Sequence, residues 1–123
     1  EVRGQGTTGV VYSAVRKSDS RKVALKLMRM DDEELLMTAQ QEFEILSSLQ
    51  HPNIVGVQDF FTFSMGAVLV LDWFPSKTLE AAVRDVPQRR VNEPVARHLF
   101  RMLMEAVCYL HERGIIHRDV KAQ

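Results

Sequence analysis

The sequence predicts an α+β fold in two parts: an antiparallel sheet carrying one long helix, then a helical region. Two observations predict it. Residues 10–15, 22–30, 54–63 and 66–71 are rich in β-branched, aromatic and other apolar residues and are bounded by turn signals. Residues 31–49 and 93–113 instead carry apolar side chains at helical spacing. The character changes at Asp72-Trp73-Phe74-Pro75-Ser76-Lys77, with mostly strand before it and helix after it. That change predicts a first lobe over residues 1–72, a connector over 73–78 and a second lobe over 79–123.

Each element has a local reason. Residues 10–15 form a strand, and Ser18-Asp19-Ser20 turns the chain into a second strand over 22–30, so the two make a hairpin. Asp31-Asp32 offers an N-cap with acid in the first turn. Leu35, Ala39, Leu46 and Leu49 then recur on one helical stripe, which His51-Pro52-Asn53 ends. A second strand pair, 54–63 and 66–71, folds about Ser64-Met65-Gly66. Residues 78–84 suit a short helix. Residues 93–113 suit a long one, with Val95, Leu99, Met102, Leu103, Ala106 and Leu110 on one face and Gly114 where a helix C′ residue belongs.

Composition narrows the function classes. The 16 basic and 16 acidic side chains cancel, which removes the electrostatic reason to seek nucleic acid or an anionic membrane. The longest apolar run, residues 66–71, is far too short to span a bilayer. Cys108 is the only cysteine, so no internal disulfide is possible; its apolar neighbours predict a buried, inert thiol. The histidines show no ligand spacing with cysteines or carboxylates, so no zinc site is expected. His98 and His111 read as helix-surface residues, and His117 as packed or hydrogen-bonded.

The residues with the most chemistry lie at Ile116-His117-Arg118-Asp119-Val120-Lys121-Ala122-Gln123. Asp119 offers a base and Lys121 a phosphate clamp. A phosphoryl-transfer loop of this kind needs a phosphate lid and a strand lysine upstream. Gly4-Gln5-Gly6-Thr7-Thr8-Gly9 can be the lid, since glycines let backbone N–H groups approach phosphate oxygens. Alone it reads more readily as a glycine-rich turn. A dinucleotide-binding loop would need a helix next, whereas residues 10–15 are a strand. Lys26, closing Val23-Ala24-Leu25-Lys26, shares a strand face with Ala24 and Met28. It is either a lysine reaching out to water or a cation held for phosphates. Glu42 sharpens the choice. It falls on the apolar stripe, where an unpaired carboxylate is costly; it is either a solvated residue at the stripe's edge, near the outward Gln41 and Glu44, or the partner of an ion pair with Lys26.

The ordered set Gly4-x-Gly6-x-x-Gly9-x-Val11, Val23-Ala24-Leu25-Lys26, Glu42 and His117-Arg118-Asp119-Val120-Lys121 resembles a eukaryotic-type protein kinase domain across the whole chain. The resemblance implies a protein kinase-like fold: a sheet-based N-lobe (1–72), a hinge (73–78) and the beginning of a helical C-lobe (79–123). It implies ATP as cofactor, with Gly4, Gly6 and Gly9 over the phosphates, Val11 above the adenine and Ala24 beside it. Lys26 would contact the α- and β-phosphates and pair with Glu42. Leu71 resembles the gatekeeper, Asp72 and Phe74 would offer backbone groups to adenine, and Thr78 would meet the ribose. Asp119 would orient the acceptor hydroxyl and take its proton, and Lys121 would stabilise the transferring phosphoryl group. Lysine two positions after the aspartate is similar to serine/threonine kinases, which implies a protein substrate with a Ser or Thr acceptor.

The resemblance also implies that the catalytic Asn, the Asp-Phe-Gly segment and thus the Mg²⁺ ligands lie beyond Gln123. The 123 residues are therefore expected to be an inactive piece of a longer enzyme, with the apolar face of residues 93–113 left uncovered. No partner nucleic acid and no membrane segment are expected, and an intracellular, cytoplasmic setting is. The alternative is a pseudokinase-type ATP-binding or scaffold module, which would lack the Asn and the Asp-Phe-Gly aspartate.

Overall fold

The computed structural model describes residues 2–6, 9–29, 33–75 and 77–122, with side chains omitted at 3–6, 33 and 35. The N-cap expected at Asp31-Asp32, the strand end at Met30 and the Leu35 side chain lie outside the described residues. The chain divides into two compact units, Glu1–Gln50 with Ile54–Phe74, and His51–Asn53 with Pro75–Gln123.

The first unit holds β1 (Val2–Gly6), β2 (Gly9–Val15), β3 (Lys22–Arg29), α1 (Glu33–Ser47), β4 (Val57–Phe63) and β5 (Gly66–Asp72). Among the described residues its strands form one antiparallel sheet in the order β1-β2-β3-β5-β4. The β2–β3 turn is tied by Arg16, whose N–H donates to the Arg21 carbonyl at 2.8 Å and whose carbonyl accepts from the Ser20 N–H at 2.9 Å. The Asp19 carboxylate completes the turn by accepting from the Arg16 guanidinium at 2.5 and 3.0 Å and from the Arg21 N–H at 3.1 Å. The Arg16 hydrogen bonds, then that from Arg21, hold the Asp19 carboxyl at about 2, well below the usual carboxylate range.

Strand alternation places Ala24, Lys26 and Met28 on one face of β3, beside Leu71, Leu69 and Ala67 of β5. α1 packs on that face. Met28, Ala39, Ala67 and Leu69 form the core, and Leu36, Phe43, Val57, Phe60 and Leu71 surround it. The Phe43 and Phe60 rings stack with centroids 5.4 Å apart. Leu69, at 0% exposure, is its largest fully buried side chain. Burial of that kind contributes about 1.5–3 kcal/mol per residue.

Three details depart from the sequence expectations. The packed stripe of α1 is Leu36, Ala39 and Phe43, rotated from the Leu35–Leu49 stripe. The helix stops at Ser47 because the Ser47 and Ser48 hydroxyls bond back to the Glu44 and Ile45 carbonyls. β4 starts at Val57, not at residue 54. Its entry is irregular, with a register shift between Val57 and Asp59, and the Gly56 carbonyl accepts from the Asp72 N–H at 2.9 Å.

The second unit holds α2 (Leu79–Arg84), a 3-10 turn (Pro87–Arg89) and α3 (Glu93–His111). Thr78 caps α2, its hydroxyl accepting from the Ala81 N–H at 3.2 Å. Asn92 caps α3, its Oδ1 accepting from the Val95 N–H at 3.0 Å, with Pro94 in the first turn. Gly114, at φ +72°, closes α3. Its N–H donates to the His111 carbonyl and the Ile115 N–H to the Leu110 carbonyl, each at 3.0 Å, which is a Schellman pair. The expected helix end at residue 113 thus lies inside this closing turn. The segment His51–Asn53 belongs to this unit: Asn53 Nδ2 donates to the Met102 carbonyl at 3.1 Å and the His51 ring lies 4.9 Å from Tyr109.

Ala106 and Leu110 are the buried residues of α3. Val95, Leu99, Phe100, Leu103 and Met104 on the same helix are exposed. Cys108 is exposed, which corrects the expectation of a buried thiol. It stands two residues from both Ala106 and Leu110, so a rotation of about 200° turns it away from the buried edge. No described helix is long and apolar enough to cross a membrane.

Candidate active site

The glycine-rich segment is built as a hairpin. Gly4 and Gly6 lie in β1, opposite Val11 and Gly9 of β2; Thr7 and Thr8 lie outside the described residues. Gly9 has φ +142°, and a Cβ there would run into the Leu27 carbonyl, so glycine is required twice over. The segment therefore approaches its neighbours as bare backbone.

Val11 stands opposite Lys26, and Lys26 opposite Leu69. Ala24 stands opposite Leu71. Cross-strand partners project to the same side, so the sheet gathers Val11, Ala24, Lys26 and Leu71 on the face that α1 covers in part. Four of the residues singled out in the sequence are thus brought together by register alone.

Lys26 and Glu42 meet as the spacing predicted. Lys26 Nζ donates to Glu42 Oε1 at 2.7 Å and to Oε2 at 2.9 Å. The lysine side chain is 15% exposed and the glutamate 37%. The ammonium is therefore held on the sheet face with its position set by α1, while the carboxylate keeps one side in water. A lysine simply reaching for solvent would not show this two-pronged contact with a helix carboxylate.

At the end of β5, Asp72 is half-buried and Phe74 is exposed. The Asp72 carboxylate accepts from Gln58 Nε2 at 2.6 Å, and Gln58 Oε1 accepts from Arg16 Nη1 at 3.0 Å. Neither Arg16 nor Gln58 was among the sequence candidates. No local pattern joins polar residues so far apart in the chain, and only sheet register brings them together. Thr78 uses its hydroxyl as the α2 cap, so the group expected to meet a ribose is already engaged as an acceptor.

In the second unit the 117–122 loop is organised by its own contacts. The His117 side chain is exposed, not packed; its Nδ1 accepts from the Asp119 N–H at 3.2 Å. Arg118 has φ +63°, an uncommon left-handed conformation. Asp119 and Lys121 form an ion pair at 2.8 Å with both side chains open to water. The Ala122 carbonyl accepts from the Glu80 N–H at 2.8 Å and so fastens the loop to the start of α2. A carboxylate and an ammonium presented side by side can take a proton and offset negative charge. His98 and His111 are exposed on α3. Among the described residues no group of three or more His, Cys, Asp or Glu could hold a metal ion.

The protein kinase domain profile matches residues 1–123. The NUAK family SNF1-like kinase 2 of Rattus norvegicus is 40% identical over an alignment that covers 100% of this chain and 20% of that protein. The NUAK family SNF1-like kinase 1 of Homo sapiens is 34% identical and is covered over 19% of its length. The chain therefore spans about a fifth of the length of these curated relatives. In solved structures, Rad53 1-466 in complex with AMP-PNP superposes with a TM-score of 0.86 and 28% identity, over 99% of this chain and 32% of that one. With a whole-chain profile match and the paired Lys26 and Glu42, the chain belongs to the protein kinase domain family.

Proposed function

We propose that the protein containing this chain transfers the γ-phosphoryl group of ATP to a Ser or Thr hydroxyl of a protein substrate. The observation that carries this is the Lys26–Glu42 contact at 2.7 and 2.9 Å, in a chain matched from end to end by the protein kinase domain. Lys26 contacts the α- and β-phosphates, and Glu42 holds the ammonium where they bind. The glycine backbone at residues 4, 6 and 9 covers the phosphates. Val11, Ala24 and Leu71 enclose the adenine, Asp72 and Phe74 contact it through their backbone, and Thr78 lies near the ribose. Residues 73–78 serve as the hinge between a lobe of residues 1–72 and the beginning of a second lobe. The AMP-PNP bound by Rad53, a neighbour in fold, supports ATP as the nucleotide.

Asp119 orients the acceptor hydroxyl and accepts its proton. The hydroxyl oxygen then forms a bond to the γ-phosphorus, the bond from that phosphorus to the β–γ bridging oxygen breaks, and ADP leaves with the bond's electron pair. Lys121 offsets the charge on the transferring group. Its position two residues after Asp119 supports Ser/Thr specificity. Mg²⁺, when bound, neutralises phosphate charge in this chemistry. Among the described residues no group of three or more His, Cys, Asp or Glu could hold it, and no step above depends on it. The use of ATP supports an intracellular, cytoplasmic setting as part of the same proposal.

The test is phosphate incorporation into a Ser/Thr peptide library by the full-length protein. Lys26→Met and Asp119→Asn are each expected to lower turnover by about 100- to 10,000-fold. Unchanged turnover in either variant contradicts the assignment.

A further inference from the structure

We infer that Arg16 and Gln58 form a brace that positions Asp72, and with it the backbone entering the 73–78 connector, for nucleotide binding. This rests on the proposed contact of residues 72 and 74 with adenine, and it adds positioning residues to that site.

The brace is a chain of matched donors and acceptors. A guanidinium only donates and a carboxylate only accepts, so an amide between them has one satisfying orientation. Gln58 takes it: Oε1 accepts from Arg16 Nη1 at 3.0 Å, and Nε2 donates to Asp72 Oδ1 at 2.6 Å. Arg16 is itself fixed by Asp19, with Nε to Oδ1 at 3.0 Å and Nη2 to Oδ2 at 2.5 Å. The brace thus runs from the β2–β3 turn to the end of β5.

Asp72 is gripped from its other side too. Its N–H donates to the Gly56 carbonyl at 2.9 Å. Its Oδ2 lies over Gly56, where any Cβ would overlap it. Backbone donor and both carboxylate oxygens are therefore all constrained at this one residue. The sheet needs no such grip to close, because Asp72 already pairs with Val23 across the β3–β5 ladder. What the extra contacts restrict is the course of the chain as it leaves β5. A connector held in one direction binds a flat base with less ordering on arrival.

The experiment measures the MgATP dissociation constant by calorimetry, with kcat and the KM for MgATP, in the full-length protein. Gln58→Glu keeps the size and the acceptor toward Arg16, removes the donor toward Asp72 and sets two carboxylates together. It should raise both the dissociation constant and KM by about 3- to 10-fold, with kcat held within about twofold. Combining Gln58→Glu with Asp72→Asn exchanges donor and acceptor, and should restore both constants to within about twofold of wild type. Such rescue is not expected from general loss of structure. Unaltered MgATP affinity in Gln58→Glu, or an increase that the double variant fails to reverse, overturns the brace while leaving the kinase assignment intact. A wild-type protein that binds no MgATP overturns both.

Discussion

The two units are built to different degrees of closure. In the first, a sheet and α1 enclose Met28, Ala39, Ala67 and Leu69, and Val23 and Val70 are buried as well. In the second, α3 buries only Ala106 and Leu110, while Val95, Leu99, Phe100, Leu103 and Met104 remain open to water. The difference teaches where burial is concentrated. The first unit fixes a lysine on a rigid face. The second presents Asp119 and Lys121 on a loop fastened by one backbone bond to α2 and by short-range contacts.

The largest stability effect should come from the closed core. Leu69→Ala is expected to cost about 3–5 kcal/mol, because the side chain is fully buried within the core cluster. Leu110→Ala should cost nearer 2 kcal/mol, the low end of the same range. Urea unfolding followed by circular dichroism checks the order, and a larger loss at Leu110 would reverse the comparison.

Two glycines with positive φ sharpen it. Gly114→Ala meets nothing within 4 Å, so it should cost only the left-handed backbone strain, about 1–2 kcal/mol. Gly9→Ala adds a collision with the Leu27 carbonyl and should cost more, read as the larger drop in melting temperature.

The smallest effect concerns Asp19. Its folded pKa of about 2 lies below the unfolded value, so its contribution is present above the unfolded pKa and is lost as pH falls through about 2. The residue is exposed, so the effect is slight. Asp19→Asn should lower the urea midpoint near pH 6, and that deficit should close between pH 4 and pH 2. A deficit that stays constant with pH would show that the charge is not responsible.

Much of the site was legible because it depends on local pattern. Strand period two put Lys26 with Ala24, and Glu42 on the predicted stripe was either a solvated edge residue or the partner of Lys26; the contact between them decides for the second. The Gly114 stop was legible for the same reason, since it is a short-range signal, whereas the caps at Thr78 and Asn92 were not read from the sequence. The rotation of the α1 stripe to Phe43 was not, because Leu35, Leu36 and Phe43 are all apolar and only contact with Phe60 decides among them. Cys108 was misread because apolar sequence neighbours on a helix do not share its face. The Arg16–Gln58–Asp72 chain was invisible because polar surface residues carry no periodicity, and only the fold makes them neighbours.

The division of labour between the units can be tested in one comparison on the full-length protein: MgATP affinity beside single-turnover phosphoryl transfer, for wild type and Asp119→Asn. If the first unit binds the nucleotide and the second unit's aspartate handles the acceptor proton, Asp119→Asn should keep MgATP affinity within about threefold while transfer falls by about 100-fold or more. Transfer at the wild-type rate in Asp119→Asn, or a loss of affinity as large as the loss of rate, would contradict it.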